Sequence, residues 1–342
     1  MKMKFAAFAL AGSSALEEPQ IIFKRMVEFA QEAETLGYDS VWFAEHHFSN
    51  YGYIPNPLLM ATRVAAETSR IRIGTAVLVL PFWNPLRVAE DIALTDQLTN
   101  GRLEIGVARG YQPFEFRRFG LDQEEARDRT NESLAIITRA LSGETFEYNG
   151  KFNQIPETTL YPKPRQQPRP PIWLAATTQE SFDIGASYGL HALTSQSGRP
   201  ISVLEEGWAN FQRSRERYPD APAEFGVQGQ VVVASTDDEA RAQMEHFLYQ
   251  SRQATNLRHG HEHVVSGVSE PLPYEGEPDL DEMFENRTLS GAPPTVIEKL
   301  RRYQAAADIT TLSLVLHGGA MPPETVLQSM RLFATDVMPA FR

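Results

Sequence analysis

The sequence predicts an α/β protein, a (β/α)8 TIM barrel that forms one domain over residues 1–342. Strand-like apolar runs alternate with helix-like amphipathic runs for most of the chain, and we count eight such pairs. The strands read as continuous apolar runs, which is typical of a parallel sheet covered on both faces. The chain is long enough to bury a large core, and it has no cysteine for disulfides. The number of repeats favours a barrel over an open, doubly wound sheet.

Four strand–helix units follow one another in the first half of the chain. The strands are predicted at residues 4–10, 40–44, 71–80 and 103–108, and the helices at 19–36, 57–68, 85–98 and 122–141. The first helix has apolar residues at three- and four-residue spacing and ends before Gly37. Pro57 and Pro85 suit the first position of the second and third helices. The third strand, IRIGTAVLVL, is the most apolar run of the four.

The same alternation resumes in the second half. The strands are predicted at residues 172–176, 191–194, 227–234 and 311–316, and the helices at 181–188, 201–217, 237–257 and 323–334. Gly189 marks the end of the fifth helix. Each strand is therefore followed by a helix, as a barrel requires.

Two insertions interrupt this pattern. Residues 144–171 are rich in Pro, Tyr and Asn, and we expect a hairpin and an extended linker that cover one end of the barrel. Residues 260–290 are long and polar and lie before the eighth strand, so they are either an active-site lid or a plain excursion. His259, His261 and His263 alternate along the chain, which we interpret as a solvated surface run rather than a metal site.

Composition and charge narrow the classes of partner and the cellular location that we expect. The net charge is −12 and no long basic run occurs, which argues against a nucleic-acid footprint. Residues 1–15 look like a short secretory signal, but we favour a buried first strand because a helical pattern begins at Gln20. No run reaches the ~18 apolar residues that a membrane span needs. We therefore expect a cytoplasmic protein without a nucleic-acid or membrane partner.

Two histidines directly follow the second strand, at the end of a barrel that normally carries catalysis. Adjacent side chains on a strand point to opposite faces, so one of His46 and His47 can face the site while the other packs beneath it. A neutral imidazole placed there can take or give a proton near neutral pH. A structural role for both histidines is the alternative.

Basic and hydroxyl groups follow the fourth and fifth strands. Arg109 comes after the fourth strand and Arg127 lies on the next helix, where guanidinium groups suit a phosphate, a carboxylate or nearby acidic side chains. Thr177, Thr178 and Ser181 open the fifth helix, as an anion site or as an ordinary N-cap. The chain has no GxGxxG fingerprint, P-loop, nucleophile elbow or HExxH motif. The residues alone predict a barrel enzyme and leave these alternatives open.

Four segments carry a resemblance to a known family. They are YDSVWFAEHHF at 38–48, IGTAVLVLPFWNPLRVAEDIALTDQLTNGR at 73–102, GVARGYQPFEFRRFG at 106–120 and SMRLFATDVMPAF at 329–341. Together and in this order they resemble the bacterial luciferase-like family of flavin-dependent monooxygenases, and most of all its luciferase α-subunit branch.

The resemblance implies a barrel that holds FMN at the C-terminal ends of its strands. It implies a catalytic role for His46 and a non-proline cis peptide, Ala76–Val77, beneath the flavin. The residues that it implies for cofactor binding are Arg109, Arg127, Thr178, Ser181, Ala76, Val77, Tyr111, Thr177, Phe8 and Ser195. It implies no metal. Luciferase has a reactive cysteine where this chain has Ala108, which argues against a long-lived, light-emitting intermediate.

The activity that the resemblance implies is a two-component monooxygenase. A separate reductase would supply FMNH2, because the chain has no nicotinamide-binding motif, and O2 would react through a C4a-(hydro)peroxyflavin. The substrate would be a small apolar organic molecule: an aldehyde, a ketone or an aromatic compound. A homodimer is expected. The alternatives are a deazaflavin-dependent oxidoreductase on the same fold and a non-catalytic luciferase β-like subunit.

Overall fold

The computed structural model describes residues 2–222, 224–260 and 263–342. Its strands are β1 (Lys4–Ala9), β2 (Ser40–Phe43), β3 (Arg72–Val79), β4 (Leu103–Ala108), β5 (Thr145–Asn149), β6 (Gln154–Thr159), β7 (Ile172–Ala175), β8 (His191–Ser195), β9 (Phe225–Gln230), β10 (Val264–Val265), β11 (Val268–Ser269) and β12 (Thr311–Val315). Eight of them form a closed barrel in the order β1-β12-β9-β8-β7-β4-β3-β2, and every pairing in it is parallel. The predicted (β/α)8 barrel is confirmed.

Helices surround this barrel. They are α1 (Pro19–Thr35), α2 (Pro57–Ala65), α3 (Pro85–Leu98), α4 (Pro113–Arg118), α5 (Ala126–Ser142), α6 (Gln179–Ser187), α7 (Ile201–Arg217), α8 (Asp237–Arg241), α9 (Met244–Arg258), α10 (Leu280–Glu282), α11 (Pro293–Ala306) and α12 (Pro323–Leu332). None of the helices in the described part of the chain has the length and apolarity to cross a bilayer. The predicted bounds of α3, β4 and α7 match the observed ones to the residue.

The prediction for the seventh strand–helix unit was wrong in two respects. The strand ends at Gln230 rather than residue 234, because the next residues pair with another segment: Gly291 N–H donates to Val232 O at 3.0 Å. The predicted helix 237–257 is two helices, α8 and α9, and α9 packs against α4 and the segment around residues 280–287. The helix packed beside α7 in the outer ring is α11, which the sequence interpretation missed and which buries Val296 and Leu300 completely.

The first insertion has the predicted form. Strands β5 and β6 pair as an antiparallel hairpin, and an extended segment follows up to β7. Gln166 fastens this segment, since its Nε2 donates to Asp96 Oδ1 and to Leu103 O, each at 2.8 Å. Leu103 is the first residue of β4, so the linker covers the N-terminal end of the barrel, opposite the predicted active face.

Two tryptophans fill the barrel interior. The rings of Trp42 and Trp173 lie 5.6 Å apart, and Trp42 Nε1 donates to Glu104 Oε2 at 2.8 Å. Glycine faces them across the interior because a side chain would not fit: a Cβ on Gly74 would lie 2.3 Å from Trp42, and one on Gly226 would lie 3.0 Å from Trp173. This packing fills the barrel interior, and open space remains towards the C-terminal ends of the strands.

The pairing of β3 with β4 is irregular just below that open end. The register shifts between Thr75 and Leu78, and the Ala76–Val77 bond within the shift is cis, as the resemblance implies. The Thr75 hydroxyl bridges the gap, because it donates to Gly106 O at 2.8 Å and accepts from Gly106 N–H at 3.0 Å. The two strands therefore stay joined where the regular ladder is interrupted.

We expect Gly106→Ala to destabilise the barrel by about 1–3 kcal/mol, the range typical of overpacking. A Cβ at this position would lie 2.3 Å from Thr75 O, and a backbone atom in a closed barrel cannot move away. The matched control is Gly229→Ala on β9, whose Cβ would meet Leu289 at an ordinary 3.6 Å. Urea denaturation of both variants tests this prediction, and equal losses would contradict it.

Candidate active site

A cavity of about 550 Å³ opens at the C-terminal ends of the barrel strands. That volume is typical of a small-molecule or cofactor site. Every site residue predicted from the sequence lines it: Phe8, His46, Ala76, Val77, Arg109, Tyr111, Arg127, Thr177, Thr178, Ser181 and Ser195. The roles of these residues stay predictions, but the fold brings all of them to one place.

The two histidines after β2 divide as predicted, one towards the cavity and one beneath it. His46 lines the cavity, whereas His47 packs edge-on against Phe82 and Phe119, with ring centroids 5.6 and 4.9 Å away. His47 Nε2 lies 2.9 Å from Glu45 Oε1. Only the first histidine of the pair is therefore placed to meet a ligand.

Glu45 is a fully buried carboxyl that organises the loop after β2. Its Oε2 accepts from Val79 N–H at 2.9 Å, and Trp83 Nε1 donates to it at 3.1 Å. Burial raises the pKa of Glu45, and the hydrogen bond from His47 acts in the opposite direction. Since all these partners come from the β2 and β3 loops, this carboxyl holds the two loops together and fixes the backbone on either side of His46.

A second buried carboxylate, Glu115 on α4, contacts His46 directly. Glu115 Oε1 lies 3.3 Å from His46 Nδ1 and accepts from His47 N–H at 2.9 Å. Gln112 Nε2 lies 3.2 Å from the same ring nitrogen. Nδ1 can donate to Glu115 when it carries the proton, or accept from Gln112 when it does not. In either case Nε2 is the ring nitrogen of His46 that is left for a ligand in the cavity.

Two tyrosines extend this network along the wall. The Tyr111 hydroxyl donates to the Tyr51 hydroxyl at 3.2 Å, and the Tyr51 ring meets His46 edge-on with centroids 4.7 Å apart. Burial raises the pKa of Tyr111 and raises that of Tyr51 well above its usual value. Both phenols are therefore neutral hydrogen-bonding groups at physiological pH.

The candidate anion site lies at the N-terminus of α6. Thr178 is its N-cap and forms a capping box with Ser181: the Thr178 hydroxyl accepts from Ser181 N–H, and Ser181 Oγ accepts from Thr178 N–H at 3.0 Å. The N-cap interpretation is confirmed, and it is compatible with anion binding because a helix N-terminus attracts negative charge in either case. Arg127 approaches the same turn and pairs with Glu180 at 2.8 Å. Arg109 lines the cavity and makes no ion pair within the described ranges.

Several cavity residues were not predicted. Glu115 lies within a motif quoted for the resemblance, but nothing in the sequence shows that α4 brings it against His46. The same holds for Gln112, the N-cap of α4, which contacts His46 from outside the cavity lining. Arg199 lies four residues beyond the end of β8, so the search for basic residues directly after strands did not reach it. Arg258 could not be found, because the helix that carries it was assigned to the outer ring.

The aromatic residues near the active face are mostly packing. Tyr51 and Tyr111 line the cavity, whereas Phe48 and Phe82 stack with Phe119 around His47, and Phe114 is completely buried. The 260–290 insertion lies over the site as far as it is described: Tyr274 lines the cavity, and the β10–β11 hairpin is joined to the β2 loop. Whether it opens as a lid stays a prediction.

His261 of the alternating histidine run lies outside the described residues, so that interpretation is not tested. Elsewhere in the described chain, no group of three or more His, Cys, Asp or Glu side chains could hold a metal ion.

Comparison with known proteins gives a consistent result. The sequence pattern of the luciferase-like monooxygenase family matches residues 3–308. The chain is 30% identical to the flavin-dependent trigonelline monooxygenase, oxygenase component, of Acinetobacter baylyi, across 99% of this chain and 96% of that one. It is also 30% identical to the alkanal monooxygenase alpha chain of the Kryptophanaron alfredi symbiont, but over 56% of this chain and 54% of that one.

Solved structures agree on the fold. Monooxygenase RslO1 from Streptomyces bottropensis superposes with a TM-score of 0.87 at 25% identity, over 99% of this chain and 100% of that one. Two more distant structures show the fold alone. The oxygenating constituent of 3,6-diketocamphane monooxygenase from Pseudomonas putida, in complex with FMN, has a TM-score of 0.82 at 23% identity and covers 99% of each chain. An F420-dependent secondary alcohol dehydrogenase superposes with a TM-score of 0.74 at 19% identity, over 100% of this chain and 100% of that one.

We expect Thr178→Ala to lower the free energy of unfolding by about 1 kcal/mol, the usual loss when an N-cap hydroxyl is removed. Thr177→Ala is the matched control, because the neighbouring Thr177 side chain is exposed and is not part of the capping box. Urea denaturation without any ligand measures both. Equal effects of the two substitutions would contradict the assignment of Thr178 as the cap.

Proposed function

The chain belongs to the luciferase-like monooxygenase family, and on that basis we propose that it is the FMN-dependent oxygenase component of a two-component monooxygenase. It would use reduced FMN from a separate flavin reductase, together with O2, to oxygenate a small organic substrate. The observation that carries this proposal is that His46 and a set of anion-binding groups line one cavity. The full-length match to an oxygenase component supports the dependence on a reductase.

The residues in the cavity fit the cofactor. Arg109, Arg127, Thr178 and Ser181 would hold the phosphate of FMN, since guanidinium groups and a helix N-terminus both favour an anion. The backbone at Ala76 and Val77 would lie beneath the flavin ring, and Phe8, Tyr111, Thr177 and Ser195 would surround it. Arg109 makes no ion pair within the described part of the chain, which leaves its charge available for a phosphate.

Glu180 would act as an exchangeable partner at this position. Its carboxylate pairs with Arg127 at 2.8 Å, and both side chains are about half exposed, at 54% and 51%. An exposed ion pair of this kind contributes little free energy. A phosphate could therefore displace Glu180 from Arg127 at little cost, although the nearby carboxylate would still repel it.

Bound, reduced FMN would supply the electrons that activate O2 for transfer of an oxygen atom to the substrate. The protein supplies shape and proton control. His46 would hold or move a proton at Nε2, since Nδ1 already has hydrogen-bonding partners in Glu115 and Gln112. Glu115 would act as a positioning residue that fixes the orientation of the imidazole. Residues 263–290, with Tyr274 over the cavity, would exclude water as a lid.

The two alternatives differ in measurable ways. A deazaflavin-dependent oxidoreductase would bind the deazaflavin in preference to FMN. A non-catalytic subunit would bind flavin without any need for His46. Neither is favoured by a contact in the cavity, whereas the position of His46 beside Glu115 favours catalysis.

We also propose that the protein is a homodimer. Three leucines on the neighbouring helices α2 and α3 are exposed to solvent: Leu59 at 68%, Leu94 at 48% and Leu98 at 60%. These leucines lie on two helices that pack together, so they offer an apolar face that a second copy of the chain could cover. Sedimentation of the purified protein would measure the oligomeric state.

We expect Glu180→Gln to tighten FMN binding by about threefold, the size of effect that an exposed ion pair produces. The substitution frees Arg127 and removes a charge that repels the phosphate. Quenching of flavin fluorescence measures the affinity, and high salt should shrink the difference. Glu298→Gln, an exposed acid on α11, is the control. The same titration with the deazaflavin tests the first alternative, and tight binding of that cofactor alone would overturn the FMN assignment.

We expect His46→Asn to bind FMN within about twofold of the parent protein but to lose about 10²-fold or more in turnover, the usual effect of removing a proton-transfer group. Rapid mixing of the protein loaded with reduced FMN against oxygenated buffer measures flavin reoxidation. A screen of aldehydes, ketones and aromatic compounds then measures product per flavin. His259→Asn, an exposed histidine, is the control. Unchanged turnover in His46→Asn would remove the assigned role and favour a non-catalytic subunit.

A further inference from the structure

The cavity contains more positive charge than the cofactor requires. Four arginines line it: Arg109, Arg127, Arg199 and Arg258. A phosphate dianion at the N-terminus of α6 would be matched by the first two. The other two form no ion pair with any carboxylate in the described ranges of the chain.

The carboxylates of the cavity wall already have other hydrogen-bonding or ion-pair partners. Glu45 lies 2.9 Å from His47 Nε2, Glu115 accepts from His47 N–H, and Glu180 pairs with Arg127. None of these contacts reaches Arg199 or Arg258. Within the described part of the chain, the three carboxylates of the cavity wall therefore leave both Arg199 and Arg258 without an ion-pair partner.

The exposed side chain of Arg258 lies over an aromatic ring. It lies at the C-terminal end of α9, and its guanidinium carbon is 4.7 Å from the centroid of the Tyr111 ring. Tyr111 is in turn joined to Tyr51, which meets His46 edge-on. A continuous row of rings therefore connects this guanidinium to the proposed proton-transfer group. The cation–π contact orients Arg258 and leaves its N–H groups available for an anion.

Arg199 is placed by the turn after β8. Its N–H donates to Gln196 O at 3.1 Å, and Gln196 Nε2 donates back to Arg199 O at 2.8 Å, so the backbone of this turn is closed on itself. The side chain is half-buried in the cavity wall. Burial lowers the pKa of Arg199, and the positive charge of Arg258 adds to the effect. Arg258 is the more exposed of the two. Two guanidinium groups that repel each other are both stabilised when an anion lies between them.

We propose that Arg199 and Arg258 bind a carboxylate on the substrate, so that the substrate class is organic acids with a flat apolar or aromatic body. This inference rests on the proposed function, because it assumes that the cofactor phosphate takes Arg109 and Arg127. A planar carboxylate matches the fork of a guanidinium. The rings of Tyr51, Tyr111 and Tyr274 line the same cavity and would contact the body of the substrate. The proposal replaces the purely apolar substrate expected from the resemblance.

The test compares organic acids with their neutral amides in protein saturated with FMN, so that the phosphate subsite is already filled. The probes are benzoate, phenylacetate and cinnamate, each paired with its own amide, and calorimetry measures binding. We expect at least one acid to bind about tenfold or more tightly than its amide, the size of a charge-assisted pair of hydrogen bonds. If no acid binds more tightly than its amide, the proposal is overturned.

Variants then locate the effect. Arg199→Gln and Arg258→Gln should each lose most of the preference for acid over amide and keep FMN affinity within about twofold of the parent. Arg301→Gln, an exposed arginine on α11, should change neither. If either cavity variant loses FMN affinity and keeps its preference for acids, that arginine serves the cofactor and the proposal is wrong. If the parent protein does not bind FMN at all, the proposed function fails first, and the titrations of the preceding subsection show this separately.

Discussion

Closure of eight parallel strands is the constraint on which the candidate site depends. Parallel pairing brings the carboxyl end of every strand to one rim, so Phe8, Arg109 and Ser195 line one cavity although they are far apart in the chain. Below that rim the rings of Trp42 and Trp173 fill the interior, and the glycines opposite them leave the space that these rings need. The two tryptophans thus fill the barrel below the cavity, which opens at the C-terminal ends of the strands.

Acidic and basic side chains have different positions and different partners around this rim. The protein is acidic overall, with a net charge of −12, yet the cavity wall carries four arginines. The side chains of Glu45 and Glu115 are 0% and 2% exposed, and they hold backbone N–H groups and histidine rings in place. Glu180 is exposed and pairs with a guanidinium that a phosphate could also bind. Buried carboxylates therefore position the loops, and the four arginines line the cavity.

The seventh strand–helix unit shows how one local pattern can have two structural outcomes. Residues 237–257 are helical as predicted, but α9 buries Gln250, Gln253 and Asn256 together with its apolar residues. Its buried face is suited to a polar cavity and a covering loop rather than to a barrel wall. The outer-ring position belongs to α11, and α9 instead brings Arg258 against Tyr111. Hydropathy could not distinguish these roles, because it reports that a face is buried and not what covers it.

The sequence by itself determined the barrel, its eight strands and most of the helices around them. It also indicated that one of His46 and His47 can face the site, and it located the candidate anion site after the fourth and fifth strands. These features follow from periodicity, helix caps and the position of polar residues directly after strands, all of which are local. Only the tertiary structure decided that Glu115 contacts His46 and that Glu180 pairs with Arg127. It also decided that Arg199 and Arg258 line the same cavity with no carboxylate partner among the residues that the structure describes. The physical reason is that a charge acquires its partner only when distant segments meet, and the closing of the barrel determines which segments those are.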